Sequence, residues 1–329
     1  MRCERPLILF FVFTIFHIVK FHSQLCRMRF MQQLRGSSFR GFNHMEWFSL
    51  RSYAKINLGL LLLGKRDDGY HDIATVFQQI DLHDHISFRK IASSIRITSS
   101  NPTLPLDENN LVYKSCRLFQ KAQGITEGLE VHIQKHIPIG GGLGGGSSNA
   151  AATLVAMNHL WKTNLSLAEL LEMAIKIGSD VPFFLQGGIA LGRGRGEILT
   201  PIQWPADWWI VLICPGIHVS SSWAYRQAKI ALTKEEKFTK FRSIFKRYSP
   251  HTLRTMLINE LEGVVFQRHP ILQEIKKQLY QRDAFYASMS GSGSSVYGLF
   301  SHRAQAEVAK ASFCTDQGME TYLCRPISS

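Results

Sequence analysis

The stretch Pro138-Ile-Gly-Gly-Gly-Leu-Gly-Gly-Gly-Ser-Ser-Asn149 stands out, because six of the seven residues from 140 to 146 are glycine. Each glycine costs roughly 0.5–1 kcal/mol more ordering entropy than alanine, so such a run needs a compensating use. A helix is predicted directly after it, at about Ser148–Leu160. Glycines before a helix allow several free backbone N–H groups and the positive helix end to face one point. The stretch therefore predicts a site for a di- or triphosphate, with Ser147 and Ser148 adding hydroxyl donors or helping to hold Mg²⁺.

This glycine-rich loop matches neither of two common nucleotide-binding motifs. A P-loop needs a lysine directly after its last glycine, and Ser147 stands there. A Rossmann motif needs a strand–turn–helix with an acidic residue about 20 residues later, and none is evident. A flexible linker is the plain alternative, which the framing by Pro138 and an alanine-rich helix disfavours. Without a P-loop lysine, the charge of a transferred phosphoryl group has to be offset elsewhere.

The segments around the loop mix strand and helix patterns. Strands are predicted at Ser52–Leu63, Ile73–Ile80, Leu129–Ile133, Trp209–Cys214, Val296–Phe300 and near residues 319–324. Helices are predicted at Asn109–Gln123, Leu167–Ile177, Arg303–Ser312 and near residues 223–232, 234–248 and 270–281. Because no regular βα repeat appears, we predict an α+β fold in two lobes rather than a doubly wound sheet. A linker-like segment at 204–206 divides the chain into domains of residues 45–205 and 206–329.

Composition excludes several broad classes. A chain of 329 residues, 45% apolar and 19% charged, is globular with a sizeable core rather than disordered. The six cysteines lie far apart without a Cys-x-x-Cys pair, which argues against a zinc ribbon and a disulfide scaffold. That spacing suits a reducing compartment, and we expect a cytoplasmic protein.

The net charge of +13 suggests an anionic partner. No helix-turn-helix, RNA-recognition or Cys/His finger pattern supports a nucleic-acid binder. The segment of residues 1–44 holds seven basic residues and one acidic residue, and so contributes +6 of the total. The remaining positive charge suits the steering of small anionic ligands into a cleft.

The N-terminal segment, residues 1–44, allows three interpretations. Its apolar run, Pro6–Val19, has 14 residues and is shorter than the roughly 20 that span a bilayer. The segment can be a targeting or anchoring extension, a tail without function, or an upstream start with translation beginning at Met28, Met31 or Met45. We favour the last interpretation, because regular globular patterning begins only after Met45. We expect no membrane association of the remaining chain.

Several motifs together resemble the GHMP kinase family. The loop described above resembles its ATP-binding signature, and Ser290-Gly-Ser-Gly-Ser-Ser295 resembles its C-terminal glycine-rich motif. The resemblance is closest to the members that act on a cytidine-diphosphate-linked methylerythritol, and it runs from about Ser52 to Cys324. It is carried there by Ala54-Lys-Ile-Asn-Leu58 with Asp68-Gly-Tyr-His71, Gly178-Ser-Asp-Val-Pro-Phe-Phe184 and Gly194-Arg-Gly-Glu-Ile-Leu-Thr-Pro201. The resemblance implies an N-terminal ATP-binding lobe and a ferredoxin-like C-terminal lobe.

The resemblance also implies an activity, ATP-dependent phosphorylation of the 2-hydroxyl of that substrate in the non-mevalonate route to isoprenoids. Lys55 and Asp180 match the catalytic lysine and aspartate of the family. A carboxylate at Asp180 can accept the proton of the attacking hydroxyl, and an ammonium at Lys55 would keep it ionised. Without the resemblance, Asp180 before Val181-Pro182 would be interpreted as a helix N-cap and Lys55 as a solvated strand-edge lysine.

Binding residues follow from the same comparison. Asn57 should share a strand face with Lys55 and contact the diphosphate or sugar, and Ser221 belongs to the substrate loop. Tyr70 and His71 match the residues that recognise cytosine, and Tyr225 should supply the opposite face of the stack. Taken alone, these three would be core tyrosines and a turn histidine. The implied ATP-binding residues are Pro138, Ile139, Gly140, Gly141, Gly142, Leu143, Gly144, Gly145, Gly146, Ser147 and Ser148.

Some expectations stay open at this point. No acidic residue of the matched motifs is a dedicated metal ligand, so Mg²⁺ is expected to be held largely by the nucleotide phosphates. Ser179 replaces the family's usual alanine, Ser221 replaces its usual threonine, and the roles of Arg193 and Arg195 are undetermined. We expect a monomer or a weak dimer. The alternatives to the activity above are another GHMP small-molecule kinase, of the homoserine or mevalonate type, and a non-catalytic nucleotide-binding relative.

Overall fold

The computed structural model describes residues 46–204, 207–228, 249–313 and 318–327, together with Phe238 and Phe241. The predicted N-terminal extension, residues 1–44, lies outside the described residues. The same holds for nearly all of the helix predicted at 234–248, and the predicted domain boundary at 205/206 falls in a gap between described ranges.

The N-terminal lobe, residues 46–204, is built around a six-stranded sheet. The strands are β1 (Phe48–Lys65), β2 (His71–Ile91), β3 (Ile95–Ser99), β4 (Gly128–Gln134), β5 (Ile189–Gly194) and β6 (Ile198–Pro201). The longest strand, β2, pairs antiparallel with β1 along most of its length, with β5 through Ile73–Gln78 and with β4 through His85–Ile91. β3 joins the far edge in parallel to β4, and β6 pairs with β5.

Four helices of this lobe share one hydrophobic core with the sheet. They are α1 (Leu111–Gln123), α2 (Gly145–Leu160), α3 (Leu167–Ile177) and α4 (Val181–Gln186). Local sequence explains two of their starts: Asn110 caps α1 by accepting from the N–H of Val112, and Ser166 and Glu169 form a capping box at the start of α3. This core fixes α2, the helix that follows the glycine-rich loop.

The described elements of the C-terminal lobe, residues 207–327, are β7 (Trp209–Cys214), α5 (Ser221–Gln227), α6 (Pro250–Met256), α7 (Glu262–Arg268), α8 (Pro270–Gln281), β8 (Tyr286–Met289), β9 (Val296–Phe300), α9 (Arg303–Phe313) and β10 (Glu320–Cys324). The four strands form an antiparallel sheet in the order β10-β7-β9-β8. Two helices, α8 and α9, pack on it in a β-α-β-β-α-β arrangement, which is ferredoxin-like. The two-lobed α+β prediction is therefore confirmed.

Two hydrophobic clusters contain residues of both lobes, and one of them lies beside the glycine-rich loop. That cluster contains Ile56 and Leu58 of β1 together with Trp208 and Tyr297 of the C-terminal lobe, all fully buried. β1 also exchanges backbone hydrogen bonds with the C-terminal lobe, since the N–H of Leu60 donates to Ile258 at 2.8 Å and its carbonyl accepts from Glu260 at 2.9 Å. β1 therefore lies at the junction and carries its side chains between the lobes.

Most predicted elements are confirmed, some with the bounds the sequence indicated: Leu167–Ile177, Trp209–Cys214, 270–281 and Val296–Phe300. The helix predicted at 223–232 is wrong in its bounds. It begins at Ser221 and ends at Gln227, because Ser220 caps it by accepting from the N–H of Trp223 and Ala228 is extended. Among the described residues, six short elements were not predicted: β3, β5, β6, α6, α7 and β8. A helix at α4 was implied only by the alternative in which Asp180 is an N-cap. Within the described ranges, no helix has the length and apolar character that a bilayer crossing needs.

Candidate active site

The glycine-rich loop ends at Gly144, which occupies the N-cap position of the 16-residue helix α2 with φ of 70°. A Cβ at this position would lie 2.7 Å from the ring of Phe184 and 3.2 Å from Cε of Lys55. Both the left-handed backbone and this close approach require glycine. The free N–H groups of the first turn and the positive end of α2 thus lie beside Lys55, where an anion would be stabilised.

The second Gly/Ser segment, Ser290–Ser295, packs directly on this loop from the C-terminal lobe. The hydroxyl of Ser290 donates to the carbonyl of Gly142 at 3.0 Å, and the N–H of Ser295 donates to Gly141 at 3.2 Å. A Cβ on Gly142 would lie 2.2 Å from the carbonyl oxygen of Ser290, so only glycine permits the approach. The two segments together form one continuous backbone surface at the junction of the lobes.

Lys55 and Asp180 meet beside that surface. Nζ of Lys55 lies 3.6 Å from Oδ2 of Asp180 and donates to Oδ1 of Asn57 at 2.5 Å. Asn57 is in turn held by its side-chain N–H₂, which donates to the hydroxyl of Thr75 at 2.9 Å. The backbone N–H of Lys55 donates to Leu143 at 3.0 Å, so β1 is attached to the glycine-rich loop. Lys55 and Asn57 share one strand face, as their spacing of two predicts.

The surroundings of this pair contradict both plain alternatives. Lys55 is 3% exposed, so it is not a solvated strand-edge lysine. Asp180 does stand at the N-cap position of α4, but its side chain makes no capping hydrogen bond there. Burial lowers the pKa of Lys55, and the negative charge of Asp180 with its hydrogen bond acts in the opposite direction. The ammonium is thus desolvated and depends on Asp180 for compensation.

A cavity of about 690 Å³ opens above the pair and extends between the lobes. Its walls include the predicted residues Lys55, Asn57, Tyr70, His71, Gly142, Gly144, Asp180, Ser221 and Tyr225. The other predicted ATP-binding residues lie along the loop and the first turn of α2 and are not among the residues that line this cavity. Of these, Ile139 is half exposed and Leu143 is buried, and the hydroxyl of Ser148 accepts from Ser52 at 2.8 Å.

Aromatic side chains line the part of the cavity beside the start of β2, which we call the aromatic end. The rings of His71 and Tyr225 lie 5.6 Å apart with an interplanar angle of 32°, and Tyr70 exposes 54% of its surface. Partial burial, followed by the charge of Lys65, lowers the pKa of His71, which favours the neutral imidazole. Burial and then Asp180 raise the pKa of Tyr225, which keeps the phenol neutral. This end of the cavity suits a flat, uncharged ring.

Comparison with known proteins agrees with this geometry. Residues 110–188 match the model of the GHMP kinases N terminal domain, and residues 250–317 match that of the GHMP kinases C terminal. A relative from Alkaliphilus metalliredigens, named 4-diphosphocytidyl-2-C-methyl-D-erythritol kinase, is 39% identical over 267 residues, covering 80% of this chain and 92% of the relative. The chain belongs to the GHMP kinase family.

Solved structures of other proteins also superpose on this GHMP kinase. A crystal structure of 4-(cytidine 5'-diphospho)-2C-methyl-D-erythritol kinase superposes with a TM-score of 0.70 at 30% identity, covering 84% of this chain and 99% of the other. Homoserine kinase from Cytophaga hutchinsonii superposes with a TM-score of 0.69 at 20% identity, covering 88% and 98%, which shows a shared fold. The overall fold is thus shared by kinases of different names. The residues that line the cavity, rather than the fold, have to indicate the acceptor substrate.

Sequence reasoning assigned no role to several residues in and behind the cavity wall of this GHMP kinase. Ser292 lies on the wall and shares a hydrogen bond of 2.7 Å with Ser221, and Arg195, whose role was undetermined, also lines the cavity. Thr75 lies behind the wall and holds Asn57. The motif that contains Ser290 and Ser292 was recognised, but nothing in its spacing indicates which hydroxyls turn toward the other lobe.

The described residues contain no group of three or more His, Cys, Asp or Glu side chains that could hold a metal ion. Asp180 is the carboxylate that lines the cavity beside the glycine-rich loop, whereas Asp68 lies at the aromatic end and is bound by Arg66. Mg²⁺ bound to phosphates commonly takes only one or two protein carboxylates. The donors present therefore fit a metal ion that a nucleotide brings with it.

Proposed function

We propose that this chain is an ATP-dependent kinase that phosphorylates the 2-hydroxyl of 4-diphosphocytidyl-2-C-methyl-D-erythritol in the non-mevalonate route to isoprenoids. The observation that carries the proposal is one cavity with a lysine–aspartate pair near the glycine-rich loop and a flat aromatic site at its other end. A substrate with a hydroxyl at one end and a pyrimidine base at the other matches that arrangement. The likeness to relatives of that name supports the same substrate.

Phosphoryl transfer by these residues needs positioning, charge stabilisation and one proton acceptor. The glycine-rich loop and the N-terminus of α2 would hold the phosphates of ATP. Asp180 would accept the proton of the 2-hydroxyl. The oxygen of that hydroxyl forms a bond to the γ-phosphorus, while the bond from this phosphorus to the β,γ-bridging oxygen breaks and ADP leaves. Lys55 would place its positive charge beside the carboxylate of Asp180 and orient the hydroxyl oxygen.

Mg²⁺ would offset phosphate charge when it is bound with the nucleotide. The side-chain oxygens of Asp180 and Ser147 would help the phosphates to hold it. The remaining proposed contacts are Asn57 and Ser221 to the sugar or diphosphate and Tyr70, His71 and Tyr225 to cytosine. The cytoplasmic location and the monomeric or weakly dimeric state stay predictions of the sequence.

An ADP-release assay tests the proposal by offering 4-diphosphocytidyl-2-C-methyl-D-erythritol, mevalonate and homoserine as separate acceptors. We expect turnover with the first and only the acceptor-free background with the other two, because those two have no base to fill the aromatic end. Turnover with homoserine or mevalonate alone would assign the chain to the alternative kinase type. Background rates with all three would favour a non-catalytic relative.

A further inference from the structure

Arg195 lies in the turn between β5 and β6 and lines the cavity, whereas Arg193, two residues earlier, does not. The guanidinium of Arg193 lies over the ring of Phe238, with 5.7 Å between its Cζ and the ring centroid. The two arginines flank Gly194, which has a φ of 69°. The turn therefore directs one guanidinium into the cavity and the other onto an apolar side chain.

The position of Arg195 is intermediate between the two ends of the cavity. Its Cζ lies 4.9 Å from the ring centroid of Tyr70, at the aromatic end. The next residue, Gly196, lies close to Asp180 at the other end of the cavity, because a Cβ on Gly196 would lie 3.8 Å from Oδ1 of Asp180. Arg195 thus lies beside Tyr70 and next in sequence to a residue that is close to Asp180, within the same cavity wall.

Two carboxylates, Asp68 and Glu197, lie near the charge of Arg195, and Arg66 already binds the first of them. Glu197 lies 3.7 Å from Nε of Arg195, and its other carboxylate oxygen accepts the backbone N–H of Arg195 at 2.6 Å. Among the described residues, no hydrogen bond reaches the terminal nitrogens of this guanidinium. Of the other cations on the wall, Lys55 is paired with Asp180 and Arg226 is exposed on α5. Arg195 is thus a partly buried cation on the cavity wall, and its terminal nitrogens keep hydrogen-bond donors to offer to a ligand.

From this placement we infer that Arg195 binds the diphosphate of the acceptor substrate and selects acceptors that carry a nucleoside diphosphate. The inference rests on the proposed function, in which a diphosphate joins the base at Tyr70 to the hydroxyl at Asp180. A planar guanidinium can donate two parallel hydrogen bonds to phosphate oxygens, and an arginine stacked on a tyrosine is already oriented for them. Arg195 is a binding residue in this scheme and takes no part in the proton transfer.

The kinetic test compares Arg195→Ala, Arg195→Lys and the matched control Arg193→Ala. We expect Arg195→Ala to raise KM for the diphosphocytidyl acceptor about 10- to 100-fold, the effect of losing charge-assisted hydrogen bonds, and to change KM for ATP less than about twofold. Arg195→Lys should recover part of the loss, because it keeps the charge without the fork. Arg193→Ala should behave as the unchanged chain. An unaltered acceptor KM in Arg195→Ala would overturn the inference.

A binding experiment separates a diphosphate contact from support of the Tyr70 ring. Binding of cytidine and of CDP is measured by calorimetry with the ATP site saturated by a non-hydrolysable ATP analogue. We expect Arg195→Ala to weaken CDP binding about 10- to 100-fold and cytidine binding less than about twofold. Equal losses for both ligands would mean that Arg195 only holds Tyr70, and this would overturn the inference. Because the experiment needs no turnover, it decides the role of Arg195 even where the unchanged chain fails to phosphorylate the proposed acceptor.

Discussion

The contact between Lys55 and Asp180 defines what each of the two side chains can do. We expect Asp180→Asn to lower kcat by about 10²- to 10⁴-fold, the usual contribution of a general base, because the amide cannot accept the hydroxyl proton. Binding of ATP should change only a few-fold, since the glycine-rich loop is untouched. Steady-state kinetics with an ATP titration by calorimetry measure both quantities. Full turnover in the variant would remove Asp180 from the mechanism.

The pKa of Lys55 gives a second readout on the same variant. Burial lowers this pKa, and the charge of Asp180 raises it in part. Replacing the carboxylate with a neutral amide removes the part that raises it, so the ammonium should lose its proton at a lower pH in Asp180→Asn. Titration of the Cε resonance of ¹³C-labelled lysine by NMR measures the midpoint. A midpoint that stays in place would mean that the two side chains do not interact in solution.

Among the elements, the segment that enters the glycine-rich loop is fixed by one carboxylate of β2. Asp84 is fully buried, and its Oδ1 accepts the backbone N–H groups of His136 and Ile137, each at 2.8 Å. Its Oδ2 accepts from the side chain of Asn149 on α2 at 3.1 Å and lies 3.0 Å from Nζ of Lys135. A single side chain thus connects strand, loop entrance and helix, and it sets where the loop begins.

Asp84→Asn is predicted to destabilise the fold by about 3–5 kcal/mol, because it removes the carboxylate that pairs most closely with the buried ammonium of Lys135. The double variant Asp84→Asn/Lys135→Met should recover much of that loss, since no unpaired charge remains. Urea unfolding of both variants measures the difference. We also expect a higher KM for ATP in both, because the loop entrance loses its anchor. Equal destabilisation in the single and double variants would contradict this account.

Element prediction succeeded where local signals are strong. The capping box of α3 and the continuous apolar run of β7 indicate those elements without any partner, and both have the predicted bounds. β3 and β6 were missed because strands of five and four residues depend on the neighbours that they pair with. α2 begins three residues earlier than predicted, since Gly145 and Gly146 adopt the helical turn despite their low propensity. Tertiary packing decides these cases.

For the molecule as a whole, the sequence predicts several residues that line the cavity but not how they come together. Lys55, Asp180 and Tyr225 were predicted through family resemblance, since their own spacing carries no signal of proximity. Their meeting depends on β1 lying between the lobes and on Ser290 reaching across to Gly142. Arg195 was noticed as a charge but given no role, because only the geometry of its turn separates it from Arg193.

The same junction predicts that the two lobes unfold together. Tyr297 on β9 donates its hydroxyl hydrogen bond to the backbone carbonyl of Asn57 at 2.7 Å, inside a hydrophobic cluster shared by both lobes. Tyr297→Phe removes this buried bond and should cost about 1 kcal/mol. Hydrogen exchange at increasing urea, followed for β4 in one lobe and β9 in the other, should give one common midpoint that the substitution lowers for both.

The surface substitution Glu307→Gln on α9, whose salt bridge with Arg303 is exposed, serves as a control and should move neither midpoint measurably. If Tyr297→Phe lowered the midpoint of β9 alone, the lobes would be independent, and the coupling of Asn57 to the C-terminal lobe would have to be abandoned.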